Sequence, residues 1–598
     1  MIYSCNYVTN HKISDRIDWV MSMIHMTPYW RRYQKLILLA LVALILGVVS
    51  DLLQPTIVAR IIDRGVMEGD MDTVLRLGGL MLAVTAFGAL CAITRCVISS
   101  KVSQQFGADL RLDLFTKINK FSVEALGSKE TAGLITRMTN DTSQLVNFTN
   151  SLMRVFVRAP ALLVGAIVMT ILLNRRLALI LVVVVPVIAA LMYISLKVTL
   201  PLFAKMQNAL DKNNSVIREY LSGVRVVKAY NTFEQEVDRF DGTNSELVAI
   251  STKAARTVGV FFPIISFTVN MGLVATLWMA RGWIASGTME VGQIVAFLNY
   301  MMQISMAIRM IFMVYQGFIR AKASAERVAE ILVDNRTETF FDTVSGRTEI
   351  SRVPQDFNNS IRFNNVTFAY PSGGDMSVLQ DISFTLPAGS TLGVLGSTGA
   401  GKTSLVQLIP GFYQPTAGQV FVGNNATSEL DADVLRSAIA YVAQANTIFY
   451  GTIADNIRMG KPDATQVELE EAARAAGAYE FISALPDGFE SIVGQKGVNI
   501  SGGQKQRIGI ARALVRKAPI LILDDCVSAV DVETEASIMK AIWAIEPAPT
   551  CIVITQRISS VMNLRHILVL DEGRVVGFGD HDSLMETCEI YREMFAIK

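Results

Sequence analysis

The chain has 598 residues, of which 51% are hydrophobic and only 18% charged, with a mean hydropathy of +0.39. That is too apolar for a water-soluble protein of this length, and a formal net charge of +1 gives no electrostatic footprint for nucleic acid. The six cysteines (Cys5, Cys91, Cys96, Cys526, Cys551, Cys588) form no C-x-x-C pair, and the four histidines lack metal spacing, which speaks against a disulfide framework and a zinc site.

The apolar excess is confined to about the first 310 residues. Residues 1–33 read as an N-terminal segment whose polar, amphipathic stretch His11–Tyr33 lacks a small-residue cleavage site. It predicts an interfacial elbow helix carrying Trp19 and Trp30. No peptidase domain precedes the first apolar span, which speaks against a leader-processing transporter.

Residues 34–333 then carry six charge-poor spans: Leu36–Ser50, Leu77–Thr94, Ala159–Asn174, Leu177–Leu196, Thr257–Ala280 and Val291–Ile308. A membrane helix needs about 20 mainly apolar residues, and the shorter spans reach that length with tolerant flanks. An even number places both termini on one side. Lys101, Arg111, Lys117 and Lys120 follow span two, and Lys205, Lys212, Arg218, Arg225 and Lys228 follow span four, so that side reads as cytosolic. Arg175 and Arg176 run against this bias and are read as a tight outer turn. Ile98–Leu126 and Leu196–Arg256 keep helical periodicity without turn clusters, predicting membrane helices that continue far into the cytosol.

Asp51 is read towards the outer end of the first span, beside Gln54 and Pro55, and an intramembrane carboxylate is a functional candidate. Arg95, Arg154, Arg158 and Arg309 are read at the inner ends of their spans as snorkelling anchors. Met302, Met306, Met310 and Met313 share one face of the sixth span. Helix packing and an adaptable substrate surface both fit that stripe.

A polar linker, 334–360, leads to residues 361–598, where the nucleotide chemistry lies. Gly396-Ser397-Thr398-Gly399-Ala400-Gly401-Lys402-Thr403 fits G-x-x-x-x-G-K-[ST], followed by Ser404. Its glycines let backbone N–H groups close on phosphates, Lys402 neutralises phosphate charge, and the Thr403 hydroxyl suits magnesium. Pro519–Asp524 is a buried-strand run ending in a carboxylate, as a magnesium-holding strand should. Ser501-Gly502-Gly503-Gln504 opens a predicted helix over Gln504–Val515, a second anion site too far along the chain to serve the same phosphate loop easily. Two anion sites facing different ways suggest head-to-tail subunits with ATP between them.

This combination resembles the ATP-binding cassette (ABC) ATPases, and the whole chain resembles type I ABC exporters. The resemblance implies a multi-domain fold: an all-α six-helix transmembrane domain followed by an α/β ABC nucleotide-binding domain. It further implies ATP and Mg²⁺, adenine stacking on Tyr370, magnesium held by Thr403, Asp524 and Gln444, and a dimer-interface loop at Ser528-Ala529-Val530-Asp531. Short coupling helices at the two cytosolic bends are expected near Ser122–Gly127 and Tyr220–Val227. Individually these residues also have plain readings, as a turn tyrosine, a surface glutamine and a helix N-cap.

Two positions depart from the family pattern. Where active members carry a glutamate that polarises the attacking water, this chain has Asp525; where they carry a histidine contacting the γ-phosphate, it has Gln556. Aspartate is one methylene shorter, and positioning errors near 1 Å can cost ~10²-fold in rate. Glutamine donates a hydrogen bond but cannot become a cation. The signature run is intact apart from Ile500 in place of the commoner leucine. The chain therefore resembles the degenerate-site half of heterodimeric bacterial multidrug exporters. Expected partners are a second, non-identical half-transporter, membrane lipid and a small amphiphilic substrate, at a multi-pass plasma-membrane location with the ATPase domain and both termini cytoplasmic. Lipid translocation, siderophore import and a purely regulatory ATP-binding role are the alternatives.

Overall fold

Backbone N–H and C=O groups find no partners in hydrocarbon, so apolar runs of this length must close their hydrogen bonds within helices. The computed structural model describes residues 26–286, 288–334, 336, 358–370, 376–527 and 530–596. The readings on Cys5, Trp19, Ser528, Ala529 and nearly all of the 334–360 linker lie outside them.

Among the described residues, six helices are long and apolar enough to span a membrane: Gln34–Val66, Met71–Asn119, Thr131–Leu173, Arg175–Tyr230, Phe233–Ala285 and Val291–Ile311, the last continuing as helix to Val333. The turn between the third and fourth is set by Asn174, whose side chain accepts from the Arg176 amide. Arg176 lies over the Trp283 ring at 5.8 Å. At about 1.5 Å per residue, the 56-residue helix Arg175–Tyr230 runs roughly 84 Å, several times a hydrocarbon half-thickness.

Three sequence expectations are corrected here. Tyr220–Val227 is no separate coupling helix: it forms the last turns of Arg175–Tyr230, and the chain reverses in two residues, with Asn231 in the left-handed region (φ 52°). Asparagine tolerates that conformation because its short polar side chain bonds locally. Trp30 is turned into the protein rather than to an interface. Its ring stacks on Phe106, and its Nε1 donates to Thr149 Oγ1 at 3.3 Å. Asp51 lies midway along its span instead of near the outer end, and Arg158 is no inner-end anchor, because its Nη2 meets Asp51 Oδ2 at 2.9 Å.

The chain divides into two compact units, Met1–Thr116 with Ala132–Asp334, and Lys117–Thr131 with Asn335–Lys598. The segment expected as the first coupling helix therefore groups with the nucleotide-binding unit. It holds the helix Val123–Gly127, capped by Ser122 accepting from the Ala125 amide, and the Ser122 amide bonds Arg336 O at 3.3 Å.

That second unit is built on two larger sheets, beside a short pair of β7 (Gly451–Thr452) with β8 (Ile492–Val493). One is antiparallel, ordered β2 (Leu379–Leu386), β1 (Ile361–Phe368), β4 (Ala417–Val422) and β5 (Asn425–Ala426). The other runs β12 (Arg574–Gly579), β11 (His566–Asp571), β3 (Thr391–Gly396), β10 (Thr550–Ile554), β9 (Ile520–Asp524) and β6 (Ile439–Val442), parallel except at β12. All five residues of both β9 and β10 are buried, as parallel strands covered on both faces require. Register then fixes the site: Ile554 sits opposite both Asp524 and Val394, and Val442 opposite Leu523. The loops that leave β3, β6, β9 and β10 thus emerge along one edge, at the carboxyl ends of the strands, where open α/β sheets bind ligands.

Candidate functional site

The phosphate loop leaves β3 at Gly396. A Cβ there would sit 2.2 Å from Leu570 O, and Gly401 (φ 95°) would drive one into Leu379 at 2.8 Å, so the bend excludes larger residues at both ends. Ser397, Thr398, Gly399 and Ala400 form the turn between them. The helix Lys402–Gln407 follows, bringing Thr403 and Ser404 into its first turn. Lys402 is buried, and its Nζ donates to Gly396 O and Ser397 O, both at 2.8 Å. Burial holds its pKa below the ordinary lysine value. A desolvated ammonium held by two carbonyls is poised to take a phosphate oxygen instead.

Thr403 Oγ1 donates to Asp524 Oδ1 at 3.0 Å, bringing together the two groups expected at magnesium. A hydroxyl and a carboxylate at the phosphate loop are hard oxygen donors that fit that ion. Burial pushes the Asp524 carboxyl up. A residue that sequence reasoning passed over enters here: the Tyr441 hydroxyl donates to Asp524 Oδ2 at 2.9 Å. Its position on β6, three residues before Gln444, was the available signal.

Asp525 follows directly, with φ 46° and its amide bonded to Ile554 O. Its carboxylate accepts from Gln444 Nε2 at 3.3 Å and from Gln556 Nε2 at 3.5 Å, which brings together the side chains expected at the attacking water, the magnesium and the γ-phosphate. Burial first, and the adjacent Asp524 charge second, push the Asp525 carboxyl above its usual range. The loop beyond Gln556 is anchored by Arg557 and Ser560, both bonded to the buried Glu535.

The Tyr370 hydroxyl bonds Ser404 Oγ at 2.9 Å, and its ring packs edge-on against Phe368 and Tyr413. This fixes the ring beside the phosphate-loop helix.

Ser501 caps the helix Gly502–Leu514 reciprocally with Gln504: the Gln504 amide donates to Ser501 Oγ, and the Ser501 amide donates to Gln504 Oε1. Gly503 lies in the same first turn. Further along, Gly509 packs on Asn446, two residues past Gln444, where a Cβ would meet the side-chain amide at 2.5 Å. Asp531 caps the helix Val532–Trp543, accepting from the Thr534 amide. In the membrane unit, Met302 and Met306 are exposed and Met310 is half-buried, so the methionine stripe is not consumed by packing within the chain.

Residues 37–308 match the family model of the ABC transporter transmembrane region, and residues 379–528 match that of the ABC transporter. An uncharacterised ABC transporter ATP-binding protein of Mycobacterium tuberculosis is 39% identical over 96% of this chain and 97% of its own length. One from Bacillus subtilis is 35% identical over 95% and 97%, and an ATP-dependent lipid A-core flippase of Photobacterium profundum is 29% identical over 96% and 97%. A solved bacterial Atm1-family ABC exporter with ATP bound superposes with a TM-score of 0.78 at 25% identity, covering 94% of this chain and 99% of that one. The fold and site define an ATP-driven membrane transporter. The chain belongs to the ABC transporter family and has the exporter fold, with its permease and ATPase parts on one polypeptide.

Tyr441→Phe should raise the magnesium needed for half-maximal nucleotide binding about 10-fold, the usual cost of losing a group that orients a metal-holding side chain. Titrating magnesium against a fluorescent ATP analogue on the purified chain reads this out. An unchanged requirement would show that the hydroxyl does not orient Asp524.

Proposed function

We propose that this chain is one half of a heterodimeric exporter that extrudes drugs or other amphiphilic compounds. Its own ATP site is degenerate, and its intact signature serves the partner's site. The observation that carries this reading is the meeting of Asp525, Gln444 and Gln556 around one point. The two residues that depart from the family pattern touch each other, and the phosphate loop beside them keeps its pattern. The two amides hold the shorter Asp525 carboxylate where it is, and neither glutamine can take a proton. Bound ATP and Mg²⁺ would supply the reactive γ-phosphate and its charge neutralisation. Lys402, Thr403 and Asp524 would hold them, while Ser501, Gly502 and Gly503 would close on the partner's nucleotide. The Lys/Arg bias supports placing the ATPase unit and both termini in the cytosol, with the six helices in the plasma membrane.

Expressed alone, the purified chain should bind ATP with ordinary affinity yet hydrolyse it at least ~10²-fold more slowly than the assembled pair. Every site it can then form contains Asp525 and Gln556. Brisk magnesium-dependent turnover by a homodimer would overturn the heterodimer.

A second reading, translocation of a lipid, draws on the similarity to the lipid A-core flippase. Transport assays in proteoliposomes with a labelled lipid and a labelled soluble drug separate the two.

A further inference from the structure

The stretch of chain that follows Gln444 is bound directly to the signature helix. Asn446 lies against Gly509, where an added Cβ would stand 2.5 Å from the side-chain amide. One turn further along that helix, Arg512 makes three bonds to the same stretch. Its Nη1 donates to Thr447 O at 3.0 Å, its Nε to Asn456 O at 2.8 Å and its Nη2 to Asn456 Oδ1 at 3.0 Å. Asn456 is buried and exchanges two bonds with the Phe449 backbone: the Phe449 amide donates to Asn456 Oδ1, and Asn456 Nδ2 donates to Phe449 O, both at 2.9 Å. Gly460 closes the far side, since a Cβ there would run into Arg512 O.

All three of these Arg512 bonds end on neutral oxygens, so they gain no ion-pair energy. The guanidinium supplies shape instead, a planar fork whose donors hold several points at fixed angles. Those points lie near both ends of residues 447–456. The fork itself belongs to the helix Gly502–Leu514, which Ser501 caps. Ser501 stands three turns back from Arg512, roughly 16 Å at 1.5 Å per residue. A hydrogen-bonded helix carries a displacement of one end to the other over that length. At its start, the stretch follows Gln444, whose Nε2 reaches Asp525 Oδ2 at 3.3 Å beside the phosphate loop. Bonded contacts therefore run without a break from this chain's own nucleotide site to the signature serine.

We propose that Arg512, with Asn456 and the Asn446–Gly509 contact, is a positioning group that makes the Gln444 stretch and the signature helix one body. ATP at this chain's own phosphate loop then sets where Ser501 stands. That Ser501 in turn meets a partner's nucleotide rests on the head-to-tail reading; the coupling inside the chain does not.

Hydrogen exchange of the full-length chain, held as one copy per nanodisc so that no second copy can reach the signature run, tests the coupling. Magnesium and ATP should slow exchange at the phosphate loop and, through the strut, at residues 501–508 by at least ~5-fold, the lower end of ordinary coupling between sites. Arg512→Gln should abolish the change at 501–508 and keep that at the phosphate loop, and Arg512→Lys should restore part of it. Gly509→Ala should also abolish it, and adding Asn446→Ala should restore it, because the space the new Cβ needs is then free. Fluorescent ATP binding checks that each variant is folded; should Arg512→Gln fail that check, the Gly509→Ala pair decides. A helix that merely leans on Arg512 for stability would exchange faster with and without ATP and keep the ATP-dependent difference, which overturns the proposal. A wild-type chain without that difference overturns it too. Neither result touches the head-to-tail reading, which is read separately from the turnover of Ser501→Ala in the assembled pair.

Discussion

Ser501→Ala in this chain, assembled with a wild-type partner, is expected to lower steady-state ATPase turnover by ~10²–10³, and Lys402→Ala in the same chain by much less. Under head-to-tail pairing, Ser501 would touch the γ-phosphate in the partner's competent site, where charge develops during hydrolysis. On the heterodimer reading, Lys402 would serve the degenerate site, where bound ATP would mainly hold the dimer closed. Its loss should weaken nucleotide occupancy rather than chemistry. Ser501 also caps its own helix, and removing a cap costs about 1 kcal/mol of stability. That local loss is too small to mimic the effect on turnover, and Ser501→Thr, which keeps a capping hydroxyl, should retain most of the activity. A homodimer would show no split, since each of its sites would contain both residues. Equal and complete loss in the two alanine variants would remove the case for asymmetric sites, and greater loss from Lys402→Ala would reverse it.

Asp525→Glu combined with Gln556→His should raise hydrolysis at this chain's own phosphate loop by at least ~10-fold, measured with the partner's site disabled. The longer carboxylate would advance by about one C–C bond, and imidazole restores a group able to carry charge. The backbone tempers the gain. Asp525 has φ 46°, a region that aspartate tolerates better than glutamate because its short side chain bonds locally. The Asp525→Glu change alone should therefore give less than the pair. A partner with a complete signature and a double variant with no gain would mean that geometry, rather than base chemistry, limits the site.

Much of the ATPase unit was legible because its chemistry is local. The phosphate loop, the Pro519–Asp524 strand and the signature run each carry their function in consecutive residues, so spacing alone identifies them. The strands followed from unbroken apolar runs, and the parallel sheet then had to gather their carboxyl ends. The six spans were equally plain, since hydrocarbon leaves the backbone no alternative to a helix.

What the sequence determined by itself was therefore a membrane-embedded ABC transporter chain, six apolar spans followed by an ATPase domain. The tertiary structure alone decided the partnerships across distant segments. Asp51 and Arg158 lie 107 residues apart, and no periodicity says that two spans will set them face to face. Tyr441 reads as one more apolar strand residue until β6 is laid beside β9 and its hydroxyl reaches Asp524. The reversal at Asn231, later than the residues expected to form a second coupling helix, turned on one left-handed residue that helical periodicity passes over. Hydropathy reports how each segment meets solvent or lipid; only packing reports which polar groups, once removed from water, must satisfy one another.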